Sequence, residues 1–205
     1  MLFYIYNIIY DLTSTLIYNK PNVTEIIPGL WLGNYQSAID IDFLKKNDIN
    51  FILNCTSNTS FFNEIHSKKS LSKLQDIETY RIPVNDSLLE RDFILMEKYL
   101  KIILPMLVKK YIDKKNILIH CQAGKQRSAI VVAALLKQLL DKNHISIDSN
   151  GCFKGPSQVP PLPKNISKQQ QYKLIYDYLL SKRSQVFTYG LRINFDPTYR
   201  RFFNF

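Results

Sequence analysis

The chain has 205 residues, 46% of them hydrophobic and 21% charged, which suits one globular domain with roughly 30 to 50 residues to spare and excludes wholesale disorder. Its 27 Lys and Arg against 17 Asp and Glu give a formal net charge of +10. Such a surface favours anionic partners: phosphorylated proteins, phosphoinositides, nucleic acid or an acidic membrane face.

The three cysteines, Cys55, Cys121 and Cys152, are odd in number and follow no framework spacing. A reduced setting, intracellular and cytoplasmic, is therefore expected. No CxxC or paired His spacing suggests a metal site. Met1–Tyr10 is apolar but has neither a basic n-region nor a small-residue cleavage site, and Asp11 follows it directly. Neither a signal peptide nor a membrane-spanning helix is expected, since no uninterrupted apolar stretch reaches about 18 residues.

In chain order, Leu2, Ile5, Tyr6, Ile9, Leu12, Leu16 and Ile17 predict a helix over 2–18 with one apolar face. That face should pack on a partner subunit, making a homodimer, or on the chain's own domain. Pro21 and Asn22 break the pattern. Trp31 and Leu32 read as a short strand after Pro28–Gly29. Asp40 or Asp42 could cap a short helix ending at Asn47. Asn50–Asn54 and Tyr80–Val84 read as strands, and Phe93–Tyr111 as a long helix that tolerates Pro105 as a kink. Asn116–His120 is a short apolar run, hence a buried strand, and Ser128–Asp141 is a strongly apolar helix. Residues 142–171, rich in Pro, Gly and polar side chains, read as a long loop. A further amphipathic helix covers 172–183, and a basic, aromatic tail runs from Arg192 to Phe205. Strands alternating with helices predict an α/β class with a mainly parallel central sheet flanked by helices.

In such folds the active site lies beyond the carboxyl ends of strands. The strand Asn116–Ile119 leads directly into His120-Cys-Gln-Ala-Gly-Lys-Gln-Arg-Ser128. A strand–loop–helix of this composition can turn the backbone N–H groups of Gln122, Ala123, Gly124, Lys125, Gln126 and Arg127 inward as an anion nest. The following helix points its positive end into that nest. Gly124 permits the tight backbone. Cys121 would sit at the centre. A free thiol titrates near 8.5, and a helix N-terminus with nearby cations lowers that to about 3.5–7.5. Arg127 presents a planar fork matched to two phosphate oxygens. A thiolate under a phosphate cradle implies in-line attack on phosphorus.

The nine residues resemble the signature of the protein tyrosine phosphatase superfamily, in the short form of its dual-specificity branch, some of whose members are viral. The resemblance continues in Ile27-Pro-Gly-Leu-Trp-Leu-Gly-Asn34, in Ile52-Leu-Asn-Cys55, in Arg81-Ile-Pro-Val-Asn-Asp86, and in Leu180-Ser-Lys-Arg183 with Asn194-Phe195. Residues 24–141 and 172–200 fit the family. The resemblance implies the family fold, a metal-free and cofactor-free two-step mechanism through a phosphocysteine intermediate, and phosphoprotein substrates. It implies that Cys121 attacks, that Arg127 binds the phosphoryl group, and that Asp86 acts as general acid and then base. It also implies that Ser128 assists departure of the thiolate, and that His120 shapes the loop and supports the thiolate electrostatically. Glu90 and Asp92 compete for the acid role but read as solvated loop charges.

Three features depart from the minimal domain: an N-terminal helical extension at 1–23, an insertion at 142–171, and a tail at 201–205 beyond a catalytic domain at 24–200. Lys125 is similar to a lysine of phosphoinositide-directed relatives, and reads as a point charge at the pocket rim. A phosphoinositide phosphatase or an RNA 5′-phosphatase using the same site is therefore the alternative enzyme. A phosphoprotein-binding module without turnover is the non-enzymatic one. Cys55, like Cys121, ends a strand, so the two are expected to meet and to form a disulfide on oxidation.

Overall fold

A computed structural model of the chain describes residues 21–66, 74–87, 89–148, 152–154, 166–187 and 196–205. The expected helix over 2–18 and the Asn194–Phe195 pair lie outside these.

Five strands form the main sheet: β1 (Val23–Ile27), β2 (Leu30–Gly33), β3 (Ile49–Asn54), β4 (Glu78–Arg81) and β5 (Asn116–His120), in the order β1-β2-β5-β3-β4. β1 and β2 pair antiparallel around Gly29, whose φ is +79°. Every other pairing is parallel. The mainly parallel sheet expected from the alternation of elements is thus observed. β5 lies between β2 and β3 and is buried from Ile117 to His120. This is why Asn116–His120 reads as a continuous apolar run instead of an alternating one.

Period-two geometry divides the strand side chains between two cores. Phe51, Leu53, Ile117 and Ile119 face the larger one, with helices α4 (Glu90–Ile112), α5 (Arg127–Asp141), α6 (Lys168–Lys182) and α7 (Asp196–Phe203). Ile52 and Leu118 face a smaller one with α1 (Tyr35–Ile39), α2 (Ile41–Lys46) and α3 (Phe62–Ile65). Ile49 breaks the alternation because the β3–β5 register shifts between Ile49 and Phe51. At about 1.5–3 kcal/mol per buried aliphatic side chain, the strand residues alone contribute much of the drive to fold.

Several boundaries differ from expectation for identifiable reasons. Asp40 does cap α2, its carboxylate accepting from the N–H groups of Asp42 and Phe43. The strand expected over Tyr80–Val84 instead covers Glu78–Arg81. Ile82 still donates to the Asn54 carbonyl at 2.9 Å, but Pro83 has no N–H to continue the ladder. The helix through Pro105 is continuous and starts earlier, at Glu90, with Pro105 on its exposed face. The expected long loop contains an antiparallel pair, β6 (Ser146–Ile147) with β7 (Phe153–Lys154). α6 begins within that span, because Ser167 and Gln170 form a capping box. Within the aromatic tail, Asp196–Phe203 folds as α7. Its Tyr199 is buried among Tyr172, Phe203 and Phe205.

Candidate active site

Gly33, Asn54 and His120 are in register at the carboxyl ends of β2, β3 and β5. Cys121 is the first residue past this edge on the central strand. Residues 121–126 form the loop before α5.

Three carbonyls of that loop are held by donors outside it. Tyr35 N donates to Gln122 O at 3.1 Å, Arg183 Nε to Gly124 O at 3.1 Å, and Phe187 N to Lys125 O at 3.0 Å. In a trans peptide the N–H points opposite to the C=O. Pinning these oxygens outward therefore turns the N–H groups of Ala123, Lys125 and Gln126 to the other side, as an anion nest requires. Gly124 has φ +66°, and a Cβ there would come within 2.5 Å of Gly33 O. Only glycine allows the loop to lie this close to the end of β2.

Cys121 is buried, and its Sγ accepts a hydrogen bond from Ser128 Oγ at 3.2 Å. Burial by itself raises the thiol pKa. The Arg127 charge and the Ser128 hydroxyl and N–H outweigh it, and the net direction is downward. Arg127 is buried too. Nη1 donates to Val84 O at 2.9 Å and Nη2 lies 3.2 Å from Asp86 Oδ2. One guanidinium thus joins the phosphate loop to the segment after β4. Asp86 is about a third exposed. Its neighbour Asn85 accepts from Ser57 Oγ at 2.6 Å, tying the acid segment to the loop after β3. Gln122 is exposed and Ala123 half-buried, so the nest opens to solvent on that side.

Three expectations need correction. His120 is fully buried, and burial drives its pKa down to about 3. The ring is neutral at neutral pH, so it lends no positive charge to the thiolate, and Arg127 supplies that charge. Lys125 is only 4% exposed, so it is not the solvated rim charge the sequence suggests. The Gln126 side chain is buried as well, so its part in the nest is its backbone. Asp92 is buried, not solvated: it accepts a hydrogen bond from Ser87 Oγ and anchors the residue beside Asp86. Glu90 does face solvent, paired with Arg201. Two contributors escaped the sequence reading as site residues, Arg183 and the Ser87–Asp92 latch. The only signal for Arg183 was its place in the family-like stretch Leu180–Arg183.

Residues 30–150, from β2 through α5 and including the nest, match the family model of the dual specificity phosphatase catalytic domain. The chain belongs to the dual-specificity phosphatase family. Human dual specificity protein phosphatase 15 is 33% identical over 109 residues, which are 53% of this chain and 32% of that protein. The probable dual specificity protein phosphatase H1 homolog of fowlpox virus is 27% identical over 138 residues, 67% of this chain and 74% of that one. The fold is shared with OH1 from the Orf virus, a tyrosine phosphatase, at TM-score 0.59 and 15% identity, covering 90% of this chain and 87% of that one. The match thus spans about a third of the human relative's length. Among the described residues, no helix of this dual-specificity phosphatase domain is long and apolar enough to cross a membrane.

Proposed function

We propose that the chain hydrolyses phosphotyrosine and phosphoserine or phosphothreonine in proteins, with Cys121 as nucleophile. The observation that carries this reading is the arrangement around Cys121 Sγ. The sulfur accepts from Ser128 at the start of α5, and Arg127, whose charge holds the thiol down, reaches Asp86 at 3.2 Å.

In the first step a thiolate lone pair attacks phosphorus and the phosphorus–oxygen ester bond breaks. The Asp86 carboxyl gives its proton to the leaving oxygen, since an alkoxide or phenoxide departs poorly at neutral pH. The inward N–H groups and the Arg127 fork hold the three phosphoryl oxygens as charge shifts among them. In the second step a water oxygen attacks phosphorus, Asp86 takes the water proton, and the phosphorus–sulfur bond breaks. Ser128 donates to the departing sulfur. The net reaction is phosphomonoester plus water to alcohol plus inorganic phosphate, with the thiolate regenerated. No step calls for a metal or cofactor.

The Asp86 carboxylate is paired with the Arg127 clamp. Phosphate arriving at Arg127 competes for the guanidinium, and a nearby dianion favours the protonated carboxyl that the first step requires. The chain's domain divisions follow the same reading: a catalytic unit over 24–200, with 1–23, 142–171 and 201–205 as additions. Protein substrates are preferred to phosphoinositides or RNA: of the two features that suggested the latter, Lys125 and the net charge of +10, Lys125 is buried.

The test is Cys121→Ser with phosphopeptides. Turnover should vanish while phosphopeptide binding persists, since the nest remains and a hydroxyl is far less ionised than a thiol. Substantial turnover in that variant removes the covalent mechanism. Binding without turnover in the unmodified chain would mark a phosphoprotein-binding module.

A further inference from the structure

Arg183 follows α6, more than fifty residues after the phosphate loop, and is one of the largest fully enclosed side chains in the structure, at 2% exposure. Its backbone N–H closes the helix on Leu179 O at 2.8 Å. Its guanidinium reaches back to two segments. Nε donates to Gly124 O at 3.1 Å, inside the phosphate loop. Nη1 donates to Pro21 O at 2.8 Å and Thr24 Oγ1 at 3.2 Å, and Nη2 to Asn22 O at 3.4 Å, all at the start of β1. These described partners are neutral oxygens. A buried cation satisfied only by neutral oxygens is costly unless a negative charge lies within reach. Burial lowers the Arg183 pKa to about 10, and the negative charge that works against this shift is Cys121.

We propose that Arg183 is a positioning residue for phosphoryl transfer: it fixes the Gly124 peptide so that the loop accepts an anion. The proposal rests on the reading of Cys121 as nucleophile. The geometry is specific to a fork. With Gly124 O held outward by Nε, the Lys125 N–H must face the nest. Released, that peptide can turn its oxygen toward the phosphate, replacing a donor by a like-charged dipole. The guanidinium also packs against Gly124 itself, since a Cβ there would lie 2.9 Å from Nη2. Lysine would keep the charge but could not span Gly124 and the β1 carbonyls together.

The test compares Arg183→Met and Arg183→Lys with the unmodified chain. Three readouts are used: the pH midpoint of iodoacetamide alkylation at Cys121, inhibition by inorganic vanadate, and thermal midpoint. In Arg183→Met the alkylation midpoint should rise by about half a unit or more, and vanadate inhibition should weaken by about tenfold or more. Arg183→Lys should show the same weakening of vanadate inhibition, since a lysine cannot hold Gly124 and the β1 carbonyls together. A lowered thermal midpoint with both other readouts unchanged in Arg183→Met overturns the proposal, because that is what a merely structural arginine gives. Should Arg183→Met fail to fold, Arg183→Lys decides: weaker vanadate inhibition supports the proposal, and unchanged inhibition overturns it. Failure of the underlying reading looks different. The unmodified chain itself would then show no phosphatase turnover and no low-pH alkylation of Cys121.

Discussion

Asp86 Oδ2 lies 3.2 Å from Arg127 Nη2, so the expected proton donor is ion-paired to the expected phosphate clamp. The pair is asymmetric, since Arg127 is buried and also fixed to Val84 O, whereas Asp86 is about a third exposed. Displacement by substrate should therefore move the aspartate and leave the arginine in place.

Asp86→Asn keeps this shape but cannot transfer a proton. Phosphopeptide hydrolysis should fall by about 10²–10⁴-fold. Burst kinetics with an activated aryl phosphate should show a much smaller loss in the first step, because a low-pKa phenol leaves with little help. Asp92→Asn weakens the Ser87 latch beside the acid and should cost far less. A collapse in Asp92→Asn or Glu90→Gln with phosphopeptide cleavage intact in Asp86→Asn would reassign the acid.

Ser128→Ala removes the 3.2 Å hydrogen bond to Cys121 Sγ. The thiolate then becomes a poorer leaving group in the second step. Rapid quench should show phosphoenzyme accumulating and steady-state turnover falling by about tenfold or more. Equal slowing of both steps, with no accumulation, would leave Ser128 without a separate role in the second.

His120 supplies a pH signature of stability. Its folded pKa is about 3 against an ordinary 6.5, so the unfolded chain binds the proton first as pH falls. The stability due to the neutral ring is fully present above 6.5 and is lost as pH drops from 6.5 toward about 3. One such group gives a slope of up to about 1.4 kcal/mol per pH unit. Denaturant melts across this window should show that slope, and His120→Asn should flatten it even if the variant is less stable throughout. A slope unchanged in the variant would assign acid unfolding to other groups.

Cys55 N donates to His120 O at 2.8 Å, which places Cys55 and Cys121 side by side at the ends of neighbouring strands. Cys121 has the lowered pKa and is the thiol peroxide should oxidise first. Burial pushes the Cys55 thiol up, so its attack on the sulfenate should be the slow step. Peroxide-treated protein should yield a Cys55–Cys121 disulfide by mass spectrometry, with activity restored by dithiothreitol. Cys55→Ser should lose that recovery. Absence of the linked peptide would show Cys55 to be an inert core residue.

Much of the architecture follows from local pattern. The apolar run Asn116–His120 is a central strand because only a strand covered on both faces is apolar at successive positions. The eight residues after it, Cys121 to Ser128, carry their own chemistry, since a glycine with φ +66°, a thiol, a helix start and a forked cation are all specified within one short stretch of chain. What local pattern could not decide was exposure and partnership. Lys125, Asp92 and His120 are polar in sequence and buried in the fold. Arg183 reads as one more basic residue near a helix end. It becomes part of the site only when α6 brings it to Gly124, fifty-nine positions away. A side chain's charge state and role depend on desolvation and on neighbours within a few ångströms. Neighbours that distant in sequence are chosen by the packing of helices on the sheet, which the tertiary structure alone decides.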